Sequence, residues 1–301
     1  MDTDGLATLR DFFRYAVSRF NAARLAYGHG TDNAVDEAAF ILLEALKLPI
    51  ENLNPWLDAR LTLAERERLT SLIEARVATR KPAAYLVGRA YIQGFPFTVD
   101  ERVIVPRSYI AELLLAGTLG EAGLGLIADE DAIGSVLDLC TGGGSLAIIA
   151  ANVFPNAVLD AVDLSRDALE VATLNVKEHD LGDRIRLIDG DLFVPVSGRR
   201  YDLIISNPPY VSEPEVEAFP PEYAHEPQVA HLGGADGLDL VRRILTEAGS
   251  HLTPNGSLVC EVGTGREKLE SEYDLPFTWL DTEESEGEVF WLPASALTRH
   301  V

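Results

Sequence analysis

From residue 133 to residue 263 the chain alternates between two patterns, and that alternation limits its possible folds more than any other feature. Short runs rich in β-branched and apolar residues recur at IGSVLDLC (133–140), AVLDAVDL (157–164), RIRLID (184–189), YDLIIS (201–206) and GSLVCEVG (256–263). Between them lie SLAIIAANVF (145–154), SRDALEVATLNVKEHD (165–180) and GLDLVRRILTEAGSHL (237–252), whose apolar residues recur at three- and four-residue steps. Ser165 is placed to cap the second of these helices. Strands that alternate with helices imply a parallel sheet covered on both faces. The closing segments LPFTWLD and GEVFWLP, with an acidic turn between them, read as a terminal hairpin.

The first 80 residues have a different character. DFFRYAVSRFNAARL, VDEAAFILLEALKL and TLAERERLTSLIEARVATR each carry helical spacing. Asp36 is a candidate cap for the second. Thr62, with Glu65 three residues on, forms a candidate capping box for the third. Pro49 and Pro82 punctuate the last two segments. Residues 85–105, YLVGRAYIQGFPFTVDERVIV, are rich in Tyr, Val, Ile and Phe, and Gly88 and Gly94 interrupt them, as in a β-hairpin bridging two units. YIAELLLAGTL then resumes helical spacing.

Charge and cysteine content exclude several classes. The net charge is −23, from 25 basic and 48 acidic residues, the opposite of the positive footprint that duplex DNA requires. No apolar stretch reaches the ~18 residues of a membrane helix. The start, MDTDGLATLR, carries acidic residues ahead of its apolar ones and is no secretory signal. Cys140 and Cys260 form no disulfide framework, and neither they nor the six His residues show metal-ligand spacing, so no metal is expected. A reducing cytoplasm is the natural compartment, and both cysteines read as small buried hydrophobes.

DLCTGGGSLA places Gly142, Gly143 and Gly144 at the carboxyl end of the first strand and just before a helix, where open α/β sheets bind ligands. Glycine lets the backbone approach a ligand closely, and the helix start presents free N–H groups. Gly142, Gly144 and Ala147 also satisfy a loose G-x-G-x-x-A spacing. Asp163, 21 positions after Gly142 and at the end of the second strand, can accept both hydroxyls of a ribose. Asp191, in IDGDLF after the third strand, is placed to receive an adenine amino group. This set points to an adenosine-containing cofactor and leaves NAD and S-adenosylmethionine both open.

The fourth strand ends in NPPY, residues 207–210. Two consecutive prolines make a stiff extended turn that no helix or central strand accepts. NPPY falls on the same sheet edge as the glycine loop and Asp163, so Asn207 is expected to face the reactive end of the cofactor. The order DLCTGGG, VDLS, GDLF, NPPY is similar to class I S-adenosylmethionine-dependent methyltransferases that methylate amino groups. The chemistry suits the residues. The side-chain oxygen of Asn207 and the carbonyl of Pro208 can each accept one N–H of a substrate –NH₂, while Pro208 offers no competing donor. Pro209 stiffens the turn, and Tyr210 can stack on the planar amide and exclude water.

The resemblance narrows further. A helical region before the catalytic one, the hairpin ending in VPR, and EPQVAHLGGADGLDLVRRIL after NPPY look like the protein glutamine N5-methyltransferases. The resemblance implies a Rossmann-like class I methyltransferase sheet with a small N-terminal helical domain and a β-hairpin bridge. Residues 1–84 would recognise substrate, 85–105 would link, and 106–301 would bind S-adenosylmethionine. It also groups Asp138, Thr141, Leu164 and Leu192 with Gly142, Gly143, Gly144, Asp163, Asp191 and Asn207 as cofactor-binding positions. Arg107 and Glu226 are placed near the substrate entrance, though an ordinary ion pair explains them equally well.

Substrates in this family are a large-subunit ribosomal protein or, in another branch, the Gly-Gly-Gln loop of peptide-chain release factors. Two details lean toward the ribosomal branch. VPRSYIAEL stands where the release-factor branch reads VPRPxTE, and Cys140 stands where a first glycine is usual. The expected partner is a basic ribosomal protein, free or in an assembling particle, with no direct nucleic-acid specificity. A nicotinamide-dependent oxidoreductase has no use for the amide clamp. A DNA adenine methyltransferase is opposed by charge, and a non-catalytic binding module by the intact motifs.

Overall fold

The computed structural model describes residues 5–283 and 285–297; the acidic start of the chain and Glu284 of the acidic turn lie outside them. Three helices open the fold: α1 (Leu9–Ala23), α2 (Ala34–Leu46) and α3 (Leu63–Thr79). Each begins at a side chain that satisfies orphan backbone N–H groups. Thr8 and Asp11 form a capping box on α1, and Thr62 and Glu65 form one on α3. The cap of α2 is Asn33 rather than Asp36, because Asn33 Oδ1 accepts from the N–H groups of Val35 (2.9 Å) and Asp36 (3.0 Å). Asp36 is already inside the helix, where its carboxylate accepts from Asn33 Nδ2. The three helices close over their own core, in which Phe12, Phe20, Ile41, Leu42, Leu69 and Ile73 are almost fully buried. Each such side chain contributes ~1.5–3 kcal/mol relative to exposure.

Pro82 starts a single helical turn, α4 (Ala83–Val87), so the hairpin begins later than residue 85. Its strands are β1 (Arg89–Ile92) and β2 (Phe95–Thr98), paired antiparallel with Ala90 opposite Phe97. The two loop residues, Gln93 and Gly94, both have positive φ, the geometry of the tight turn that matches strand twist.

The larger unit runs α5 (Tyr109–Leu115), β3 (Ser135–Leu139), α6 (Ser145–Val153), β4 (Val158–Asp163), α7 (Arg166–Glu178), β5 (Ile185–Asp189) and β6 (Tyr201–Ser206). It continues with α8 (Glu213–Glu217), α9 (Asp239–Ala248), β7 (Leu252–Glu261), α10 (Arg266–Glu272), β8 (Thr278–Asp281), β9 (Glu286–Pro293) and α11 (Ala294–Leu297). The seven-stranded sheet has the order β5-β4-β3-β6-β7-β9-β8. β5, β4, β3, β6 and β7 are parallel, and the terminal hairpin adds β9 and β8 antiparallel. Strand order reverses between β3 and β6, which makes the carboxyl ends of those two strands the switch point where such sheets bind ligands. α5, α6 and α7 bury their apolar sides on one face of the sheet, and α9 and α11 on the other. Ser165 caps α7 through the Ala168 N–H, as its position predicts. Among the described residues no helix is long and apolar enough to cross a membrane.

Asn175 of α7, almost wholly buried, joins the hairpin to the glycine loop. Its Oδ1 accepts from Thr98 N (2.7 Å), and its Nδ2 donates to Thr98 O (3.1 Å) and Gly143 O (2.8 Å). A buried amide with both ends satisfied fixes position as well as adding stability.

Candidate active site

The first strand of the parallel series hands over to α6 through five residues, of which Cys140, Gly142 and Gly144 all have positive φ. The three glycines serve different needs. A Cβ on Gly142 would meet nothing within 4 Å, so this residue leaves open space above the loop. A Cβ on Gly144 would lie 3.3 Å from the Cβ of Ala172, and one on Gly143 would touch Asn175 and Val103, so these two let α7 and the hairpin connection pack closely. Cys140 holds a left-handed conformation that ordinarily favours glycine.

Asp163 closes the loop from the neighbouring strand. Its Oδ2 accepts from Gly142 N at 2.7 Å and its Oδ1 from Ser165 N at 2.8 Å. Burial raises its proton affinity, against the pull of those backbone donors. Beneath the loop, Asp138 is fully buried and takes the Thr141 hydroxyl (2.5 Å) and Ala147 N (3.1 Å) on Oδ2. Its Oδ1 has no hydrogen-bond partner among the described residues. Burial pushes this carboxyl up to about 7.

A pocket of about 120 Å³ opens over the loop. Of the sequence-predicted positions, Gly142, Asp163, Leu164, Asp191, Leu192 and Asn207 line it. Asp138, Thr141, Gly143 and Gly144 do not; they build the floor. Cys140 borders the pocket rather than acting only as a core residue, and Cys260 is fully buried. Asp191 is ion-paired to Arg243 at 2.8 Å, a partner on α9 that the sequence pattern did not suggest. Nor did it single out Arg102, Val103 and Ile104, which close one side, or Pro227, Val229 and Ala230, which close another. Both are connecting segments without periodicity. Leu164 and Val229 are exposed apolar residues at the rim.

Asn207 stands at the wall between this pocket and a second one. Its Nδ2 donates to the Arg107 carbonyl at 3.0 Å, which fixes the amide orientation, since a carbonyl needs a donor. Neither Asn207 Oδ1 nor the Pro208 carbonyl takes a hydrogen bond from the described residues. The second pocket is bounded by Arg107, Pro208, Tyr210, Phe219, Tyr223 and His231, and both pockets share Ile104, Asn207, Pro209 and Ala230. The prolines and Tyr210 are clasped by glycines. A Cβ on Gly233 would strike the Pro209 carbonyl, one on Gly237 the Tyr210 carbonyl, and one on Gly263 the Tyr210 ring. Tyr210 therefore packs against Gly263, and its hydroxyl donates to Glu261 at 2.9 Å.

Arg107 and Glu226 form a bidentate pair at 2.9 and 2.8 Å. Glu226 also accepts from Val105 N, and His231 Nε2 and His29 Nε2 lie 2.9 and 3.6 Å from its Oε2. Burial by itself raises the Glu226 carboxyl, but contacts from His231, His29 and Arg107 overcome this and hold it well below the usual range. Glu226 does not line either pocket. It anchors Arg107, whose guanidinium lies 5.8 Å from the centre of the Tyr223 ring.

A larger, open groove lies at the amino ends of β4 and β5, away from the glycine loop. Its central carboxylate, Asp160, is already taken up by Arg186, Arg199 and the Tyr201 hydroxyl.

Comparison with known proteins places the chain in a family. A family described as the PrmC N-terminal domain matches residues 13–88, and one described as the methyltransferase small domain matches residues 123–219. A protein of Bradyrhizobium diazoefficiens called ribosomal protein uL3 glutamine methyltransferase is 57% identical over 97% of this chain and 92% of its own length. Proteins of the same description from Neisseria meningitidis serogroup B and Bordetella pertussis are each 51% identical over 97% of this chain, and over 95% and 97% of their own lengths.

Proposed function

The chain belongs to the protein glutamine methyltransferases, and from that membership we propose that it transfers a methyl group from S-adenosylmethionine to the side-chain amide nitrogen of a glutamine in ribosomal protein uL3. The observation that carries the reading is the free acceptor pair at the wall between the two pockets, Asn207 Oδ1 and the Pro208 carbonyl.

The residues present fit the cofactor. Open space over Gly142 admits a ligand close to the backbone, and the carboxylates of Asp163 and Asp191 face the same pocket. Asp163 would hold the ribose hydroxyls, Asp191 and Leu192 the adenine edge, and Leu164 an adenine face. Bound there, S-adenosylmethionine supplies an electrophilic methyl on a cationic sulfur.

The substrate amide is a poor nucleophile, because its nitrogen lone pair is delocalised into the carbonyl. Asn207 Oδ1 and the Pro208 carbonyl each accept one amide N–H, which turns the nitrogen toward the shared wall. The nitrogen held by these two acceptors would take the methyl that the bound cofactor supplies, leaving a neutral thioether, and would give up one proton to solvent as the product leaves. Positioning of this kind supplies up to ~7–11 kcal/mol of a barrier. Tyr210, Phe219 and Tyr223 keep water from the reacting atoms. Residues 1–84 serve substrate recognition, 85–105 the link and 106–301 the transfer. The net charge of −23 suits a basic protein partner.

Labelled S-adenosylmethionine, unmethylated uL3 and unmethylated release factors, followed by peptide mass spectrometry, test the proposal. A methyl on a glutamine of uL3 is expected. A methyl on the Gly-Gly-Gln loop moves the substrate to the other branch, and no transfer to either overturns the reading.

A further inference from the structure

Glu261 ends β7 with an almost wholly buried side chain, and it touches neither pocket. Its Oε1 accepts from the Tyr210 hydroxyl at 2.9 Å. Its Oε2 accepts from the Ser108 hydroxyl at 2.7 Å and from Tyr109 N at 3.0 Å. Ser108 and Tyr109 directly follow Arg107, whose carbonyl receives the Asn207 amide, and Tyr210 is three residues beyond Asn207. The two chain segments that set the direction of the Asn207 side chain are therefore tied to the two oxygens of one carboxyl.

We propose that Glu261 is a positioning residue for methyl transfer, holding the Arg107–Tyr109 and Asn207–Tyr210 segments in the register that leaves Asn207 Oδ1 free to accept from the substrate amide. This rests on the reading of Asn207 as the amide clamp. Two further features support it. Gly263, two residues on, seats the Tyr210 ring, so the end of β7 and the turn that follows it hold Tyr210 at its hydroxyl and its ring. Burial also pushes the Glu261 carboxyl up to about 7 despite three donors, so the fold carries a group that an apolar residue would replace at lower cost. Ser108 alone does not secure its segment; apart from Glu261 its hydroxyl only caps the first turn of α5.

The test is Glu261→Gln, which keeps the volume. Its kcat on the protein substrate is expected to fall about 30- to 100-fold, with the cofactor Kd and the substrate KM within threefold. Tyr210→Phe and Glu261→Gln combined should lose little more than Glu261→Gln alone, because both break one link. Ser108→Ala gives an independent variant that leaves Glu261 in place, and it should lower kcat about fivefold. A second readout needs no turnover. The Asn207 side-chain amide signal, assigned by its loss in Asn207→Ala, should be protected from exchange in the wild type and lose that protection in Glu261→Gln. A kcat within twofold of wild type, or an unmoved Asn207 signal, overturns the proposal. An inactive wild type with the expected change in the Asn207 signal overturns the reaction assignment and supports the positioning role.

Discussion

Arg80, just past the end of α3, donates to Glu222 at 2.7 Å across 142 residues of chain. Glu222 is fully buried and also accepts from Ala26 N, while Arg76 lies 3.9 Å away. It immediately precedes Tyr223, which walls the second pocket. The helical region thus holds up one wall of the chamber in addition to any contact it makes with substrate.

Glu222→Ala should therefore act in two ways. It leaves the Arg80 guanidinium without its acceptor and the Ala26 N–H unpaired, and an orphaned buried donor costs about 1–3 kcal/mol. It also frees Phe219 and Tyr223. Denaturant titration should show the stability loss. Kinetics at a temperature where the variant is folded should show a KM for the protein substrate raised about tenfold, with the cofactor Kd within threefold. An unchanged KM would remove the wall from the account.

Asn207→Ala removes the free acceptor and leaves the Arg107 carbonyl without its donor. Transfer should fall about a thousandfold, roughly 4 kcal/mol at the transition state, the scale of losing one preorganised polar group. Calorimetric titration with the cofactor should give a Kd within a few-fold of wild type. Loss of cofactor binding in parallel with activity would make Asn207 a cofactor residue instead.

Much of this is legible in the sequence. Alternating strand and helix patterns predict the parallel sheet, and their order places Gly142, Asp163 and Asn207 at one edge. The α2 cap shows the limit of local reasoning: Asn33 and Asp36 are both good capping residues three positions apart, and the choice depends on where the backbone turns. Arg243 on Asp191 and Arg80 on Glu222 were not legible, because each partner comes from a distant element. Ile104 and Ala230, shared by both pockets, have no periodic or polar signature. Glu261 is a single charge at the end of an apolar strand, and only the pairing of β7 with β6 shows that it reaches Tyr210.

Asp163→Ala should weaken the cofactor more than it weakens catalysis. The carboxylate organises the loop through Gly142 N and offers its remaining lone pairs to the ribose. Hydrogen bonds to a charged group contribute about 1.5–3 kcal/mol each, so the Kd should rise roughly 10- to 100-fold. Asp163→Asn, which keeps one acceptor for Gly142, should fall between. An unchanged Kd in both would end the ribose assignment.

The fully buried carboxyl of Asp138 gives a pH dependence of definite sign. Its ordinary value is 3.8, and burial pushes it up to about 7 in the folded protein. Below 3.8 it is protonated in both states and contributes nothing to their difference. As pH rises from there to about 7, the unfolded chain releases the proton while the folded protein keeps it, so stability falls across that window. Above 7 both states are ionised and the penalty is constant. Asp138→Asn has no such proton. Cofactor-free wild type and Asp138→Asn, unfolded in denaturant at pH 5 and pH 7.5, should therefore diverge in the variant's favour by up to roughly 3 kcal/mol between the two pH values. Parallel pH profiles would mean that Asp138 is ionised throughout, and that Thr141 and Ala147 alone balance its burial.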